Sequence, residues 1–116
     1  MRLKNAKAKG SRLERRSRDL LRESGFLVVK AGGSLGPVDL VALHPEMGLV
    51  QLVQVKANRW PGRVEMAELN RLAARCAASG FTIVIHRYRD RGVLEVRALK
   101  PTSRVREPDA IIASKR

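Results

Sequence analysis

The chain has 116 residues, a length for one domain, and 44% of them are hydrophobic but only 3% aromatic, so its core must be aliphatic. Lys and Arg number 24 against 11 Asp and Glu; the net charge of +13 asks for a polyanionic partner, nucleic acid first. The single cysteine, Cys76, excludes an internal disulfide and a multi-cysteine zinc site, and no apolar run approaches the ~20 residues of a membrane-crossing helix.

Residues 1–10 carry Arg2, Lys4, Lys7 and Lys9, end at Gly10 and read as a flexible basic arm. Ser11 is a good N-cap, and Glu14 three residues later makes a capping box, which predicts a helix over 11–24. Leu13, Leu20 and Leu21 mark its apolar face, and Arg12, Arg15, Arg16, Arg18 and Arg22 crowd the rest. Glu14 falls near Ser17 and Leu21, at the edge of the buried face, where a carboxylate can reach inward.

Gly25 stops that helix, and residues 26–31 form the first expected strand. A loop with Gly32, Gly33, Ser34, Gly36 and Pro37 leads to a second strand over 38–43, with Asp39 near its start. The third strand, 49–56, alternates by face, so Leu52, Gln54 and Lys56 point one way and Gln51, Val53 and Val55 the other. A loop holding Arg59, Trp60 and Arg63 precedes a second helix over 64–79, with Met66, Leu69, Leu72, Ala73 and Cys76 on its apolar face and Glu65, Glu68, Arg71 and Arg75 facing out. Strands over 81–86 and 93–98 follow, and the tail 101–116 reads as loose. The pattern predicts an α/β domain over 11–100. Its first three strands form an antiparallel meander, and the crossover through the second helix brings a later strand in parallel to give a mixed five-stranded sheet flanked by helices.

Asp is depleted in strands, so Asp39 between Val38 and Leu40 asks for a function. With Glu14 from a helix and Gln54 and Lys56 from the neighbouring strand, it makes a set suited to phosphodiester hydrolysis. Carboxylates hold a hard divalent ion such as Mg²⁺, an amide oxygen can join as a neutral ligand, and a lysine stabilises charge on the phosphoryl group.

These residues carry a resemblance. Gly10-Ser11 with Glu14, Gly25 to Lys30 (GFLVVK), Val38 to Ala42 (VDLVA) and Gln54 to Lys56 (QVK) resemble the archaeal-type Holliday junction resolvases of the PD-(D/E)XK nuclease superfamily, over about residues 10–96. The resemblance implies a restriction-endonuclease-like core and a Mg²⁺-dependent endonuclease, with Mn²⁺ able to substitute, that cuts four-way DNA junctions by paired nicks as a homodimer. It implies metal-ligand positions at Glu14, Asp39 and Gln54, the catalytic lysine at Lys56, an assisting serine at Ser34, and DNA contacts at Arg15 and Lys30. Arg12, Arg16, Arg59 and Arg63 join these as expected phosphate contacts because so few acids balance them. Two departures stand out: Gln54 replaces the usual acid of the E-x-K motif, and the loop from Ser34 to Asp39 is longer than in the family.

Each residue has a plainer reading. Glu14 can be only a capping-box residue, Asp39 a strand-start residue, Lys56 a solvated strand end and Ser34 a loop residue. Two other functions compete with the resolvase: a related nuclease with another DNA target, and a basic DNA-binding protein without activity. No apolar leader opens the chain, so the expected location is cytoplasmic, away from membranes.

Overall fold

The first helix, α1, spans Arg2–Glu23 in a computed structural model that describes the backbone of residues 2–100 and the side chains of residues 9–100. The expected start at Ser11 is corrected. Residues 2–10 are helical rather than a flexible arm, Ser11 is an interior position, and Glu14 is not the acid of a capping box. The Leu, Lys and Ala residues before Gly10 are strong helix formers, and together they outweigh the ~1 kcal/mol that an interior glycine costs. The tail 101–116 lies outside the described residues.

A glycine ends α1. Gly25 sits at φ +98°, the Phe26 N–H donates to the Leu21 carbonyl and the Gly25 N–H to that of Arg22, both at 3.0 Å. These two bonds close the last turn as a Schellman motif, with Leu21 and Phe26 in one apolar cluster. A Cβ at position 25 would lie 2.6 Å from His44 Nε2, so only glycine fits.

Five strands follow: β1 (Leu27–Lys30), β2 (Leu40–His44), β3 (Leu49–Ala57), β4 (Thr82–Tyr88) and β5 (Leu94–Leu99). They form one sheet in the order β1-β2-β3-β4-β5. The meander is antiparallel from Leu27↔Leu43 through Leu40↔Val53, β4 joins β3 in parallel from Gln51↔Thr82 to Ala57↔Tyr88, and β5 closes antiparallel. The crossover is made by α2 (Arg63–Arg75) and a 3₁₀ turn at Ala77–Ser79, a little shorter than the single helix expected.

The helices cover opposite faces. Alternation along β3 and β4 sends Val53 and Val84 toward α1, where they pack with Leu21, Phe26, Val28, Leu40 and Ala42. Leu52, Ile83 and Ile85 point the other way and pack with Leu69 and Ala73 of α2 and with Val38; Trp60, Met66 and Cys76 close that cluster at its rim. The expected mixed five-stranded α/β fold is therefore observed.

Under α1 lies a polar seam. Ser17, 0% exposed, bonds His86 Nδ1 at 2.8 Å and the Tyr88 hydroxyl at 2.7 Å. The pattern closes if Ser17 donates to Nδ1 and accepts from Tyr88, which keeps His86 neutral. Burial lowers the His86 pKa. A base whose pKa is lowered by folding contributes its full stability above its ordinary pKa of about 6.5 and loses it as pH falls through the folded value. Melting temperature should therefore drop from pH 7 to pH 5 more in the natural protein than in His86→Gln. Parallel curves would show that His86 is not the responsive group.

Candidate active site

The sheet splits where β2 enters it. β2 and β3 are paired only as far as Leu40↔Val53, whereas β3 stays paired to β4 for four more residues. Past Val53, the edge of β3 facing β2 has lost its partner. The Asp39 side chain fills the gap: its Oδ2 accepts from the Val55 N–H at 2.8 Å, while its own N–H donates to the Val53 carbonyl at 2.8 Å. An acid just ahead of an apolar strand thus acts as a local substitute for a ladder bond. Burial raises the Asp39 pKa. The Val55 bond and Lys56 act against that rise, and the charges of Glu14 and Glu65 add to it.

Gln54 and Lys56 share the face of Leu52, as alternation predicts. Gln54 is 3% exposed; its Nε2 donates to Glu65 Oε2 at 3.3 Å, and Lys56 Nζ donates to Glu65 Oε1 at 3.1 Å. Glu65 is therefore corrected from an outward-facing residue to one turned onto β3. It occupies the third position of α2, where the helix dipole favours an acid. Sequence reasoning missed it, although a Glu in the first helical turn after the lysine strand was the available signal.

Glu14 approaches from α1 and pairs with Lys30 Nζ at 3.6 Å. An open cleft of about 240 Å³ is lined by Glu14, Lys30, Gly32, Gly33, Gly36, Val38 and Asp39. A second, of about 180 Å³, shares Glu14 and Lys30 and continues between Arg15, Arg18 and Ser11. An acidic cleft thus opens onto a basic groove. The glycines keep its rim low, because three of them have no side chain to fill it.

The remaining expected residues lie further out. Ser34 lines a different groove with Glu68, Arg71 and Arg75 of α2, not the cleft of Asp39. Arg12, Arg59 and Arg63 are exposed, and Arg16 lays its guanidinium over the Tyr88 ring at 4.8 Å. Trp60 packs into the α2-side core with Arg87 and Arg97 against its ring, at 4.5 and 5.6 Å from the centroid, so it pins its loop.

Among the described residues, no three His, Cys, Asp or Glu side chains group closely enough to hold an ion by themselves. The donor set still fits a divalent cation. Gln54 Oε1 is buried with no hydrogen-bond partner, a condition that costs about 1–3 kcal/mol unless something satisfies it. Asp39 is a carboxyl whose ionisation is opposed by burial and by two other acids, a setting that a cation would relieve.

The protein-family model described as archaeal Holliday junction resolvase (hjc) matches residues 5–105. No curated protein matches the chain. Among solved structures, the Holliday junction resolvase Hjc of Archaeoglobus fulgidus, an archaeal hyperthermophile, is similar in fold: TM-score 0.59, 20% identity, 76% of this chain and 70% of that one covered. With the family model spanning most of its length, the chain belongs to the archaeal Holliday junction resolvase family, a family of nucleases that act on branched DNA.

Proposed function

We propose that this resolvase hydrolyses phosphodiester bonds of four-way DNA junctions with the help of a divalent metal, by paired nicks, as a homodimer. The observation that carries the reading is Asp39. It is fixed to the main chain at the mouth of the split sheet, and its ionisation is opposed by burial and by the charges of Glu14 and Glu65, which a cation would offset.

Glu14, Asp39 and Gln54 Oε1 would hold the ion, Mg²⁺ first and Mn²⁺ as substitute. The ion would supply Lewis-acid polarisation of a phosphoryl oxygen and a more acidic water. Lys56 Nζ, steered by Glu65, donates to the phosphate oxygens as charge builds on them. Arg15, Arg18 and Lys30 line the groove beside the acidic cleft and neutralise flanking phosphates, while the exposed Arg12, Arg16, Arg59 and Arg63 extend that contact. Two sites in a dimer give the two opposed cuts. For Ser34 the groove it lines offers no support for a part in the chemistry.

The replacement of an acid by Gln54 favours a second reading, a junction-binding protein without activity. An end-labelled synthetic four-way junction with Mg²⁺ separates the two. Paired nicks at symmetric positions, with matched linear duplex left intact, are expected. Binding without cleavage in Mg²⁺ and in Mn²⁺ would leave the second reading standing, and equal cutting of linear duplex would mean another DNA target.

A further inference from the structure

We infer that Glu65 is a positioning residue that restores to the metal site what Gln54 took away: it fixes the Gln54 amide with its carbonyl oxygen free for the cation, and it returns the missing negative charge from α2. The inference rests on the metal-dependent reading above and extends it to a residue outside the motif.

The argument starts from donors and acceptors. An ionised carboxylate only accepts hydrogen bonds. Glu65 Oε2 can therefore bond only the NH₂ end of the Gln54 amide, which it does at 3.3 Å. The carbonyl end must then face away, and Gln54 Oε1 is the buried acceptor left without a partner on a side chain 3% exposed. A neutral amide is a poor ligand partly because it can present either end; Glu65 removes that ambiguity.

Charge follows the same line. Gln54 brings no charge to the position where the resemblance puts an acid, so β3 itself supplies no carboxylate to the site. Glu65 is close enough for its charge to act on Asp39, together with Glu14. Its other oxygen takes Lys56 Nζ at 3.1 Å, which fixes the lysine beside the Gln54 amide. The ordinary role for a Glu at the third helical position is to reach back to the N-cap amide. Here both oxygens are turned to β3 instead, and the N-cap, Gly62, makes no side-chain cap bond.

The test is Mn²⁺ binding to the whole protein, read from loss of the free-ion electron paramagnetic resonance signal, with thermal melts alongside. The natural protein should bind, and Asp39→Asn should not. Glu65→Gln should weaken Mn²⁺ by about 10- to 100-fold, the usual effect of losing an outer-shell partner, with little change in melting temperature. The swap Gln54→Glu with Glu65→Gln, which moves the acid back to β3 and keeps the mutual hydrogen bond, should recover binding close to that of the natural protein. Unchanged affinity in Glu65→Gln, or a swap as weak as the single variant, would overturn the role of Glu65 and leave the metal site intact. No Mn²⁺ binding by the natural protein, or binding indifferent to Asp39→Asn, would instead sink the metal site and this inference with it.

Discussion

Asp39→Asn is expected to cut junction cleavage by about 10³-fold or more, a loss of roughly 4 kcal/mol in transition-state stabilisation, while junction binding persists. The two properties separate because the basic residues that line the groove and helix α1 are not those that would hold the cation. The same change is expected to raise the melting temperature. Burial lifts the Asp39 pKa, so the ionised carboxylate opposes folding at neutral pH, and Asn keeps an oxygen for the Val55 N–H without the charge. The sign with pH follows. A group whose pKa is raised on folding gives its full stability below its unfolded pKa, near 3.8, and loses it as pH rises through the folded value. The advantage of Asn over Asp should therefore be largest at neutral pH and shrink on acidification. Cleavage and melting curves on one preparation check both parts. An inactive variant that also fails to bind junctions, or one that melts lower than the natural protein at pH 7, contradicts the assignment of Asp39 as a half-buried, cation-seeking acid.

The second large effect concerns the seat of α2. Leu69 is 0% exposed and packs against the sheet with Leu52, Ile83 and Ile85. Leu69→Ala should cost about 2–5 kcal/mol, from the lost transfer energy and the cavity left behind. For a domain of this size that is a fall in melting temperature of about 10 °C or more. Because Glu65 rides on the first turn of the same helix, four residues before Leu69, the variant should also weaken Mn²⁺ at temperatures where it is still folded. Denaturant unfolding followed by circular dichroism, with Mn²⁺ titration at low temperature, measures both. A loss below 1 kcal/mol would mean that α2 re-seats without its central leucine.

The order of the elements was legible because β3 alternates cleanly and because Gly25 and Gly80 punctuate the helices. The pairing of Gln54 and Lys56 on one face follows from the period of a strand, and it needed no tertiary information. Asp39 was visible as an acid in an apolar run, although its bond to Val55 depends on how two strands diverge, which no local pattern encodes. Two readings failed for different reasons. Gly10 and Ser11 look like a stop and a cap, but good helix formers on both sides carry α1 through them. Glu65 is four residues before Leu69 and seven before Leu72, so helical spacing sets it beside the apolar stripe of α2; its charge alone made it look solvent-facing, and its partners come from a strand brought near by the crossover. The joint position of Glu14 and Lys30 belongs to the same class, since it depends on α1 packing across the start of the sheet.

The Asp39–Val55 bond has one more consequence. A main-chain amide of β3 is held there by a side chain rather than by a neighbouring strand, so its protection from solvent depends on an ionisable group. Exchange of the Val55 amide hydrogen should therefore report the state of the Asp39 carboxylate, and a cation at Asp39 would share that side chain with the backbone. Through that one side chain, a cation taken by the carboxylate would also change how tightly the open edge of the sheet is sealed.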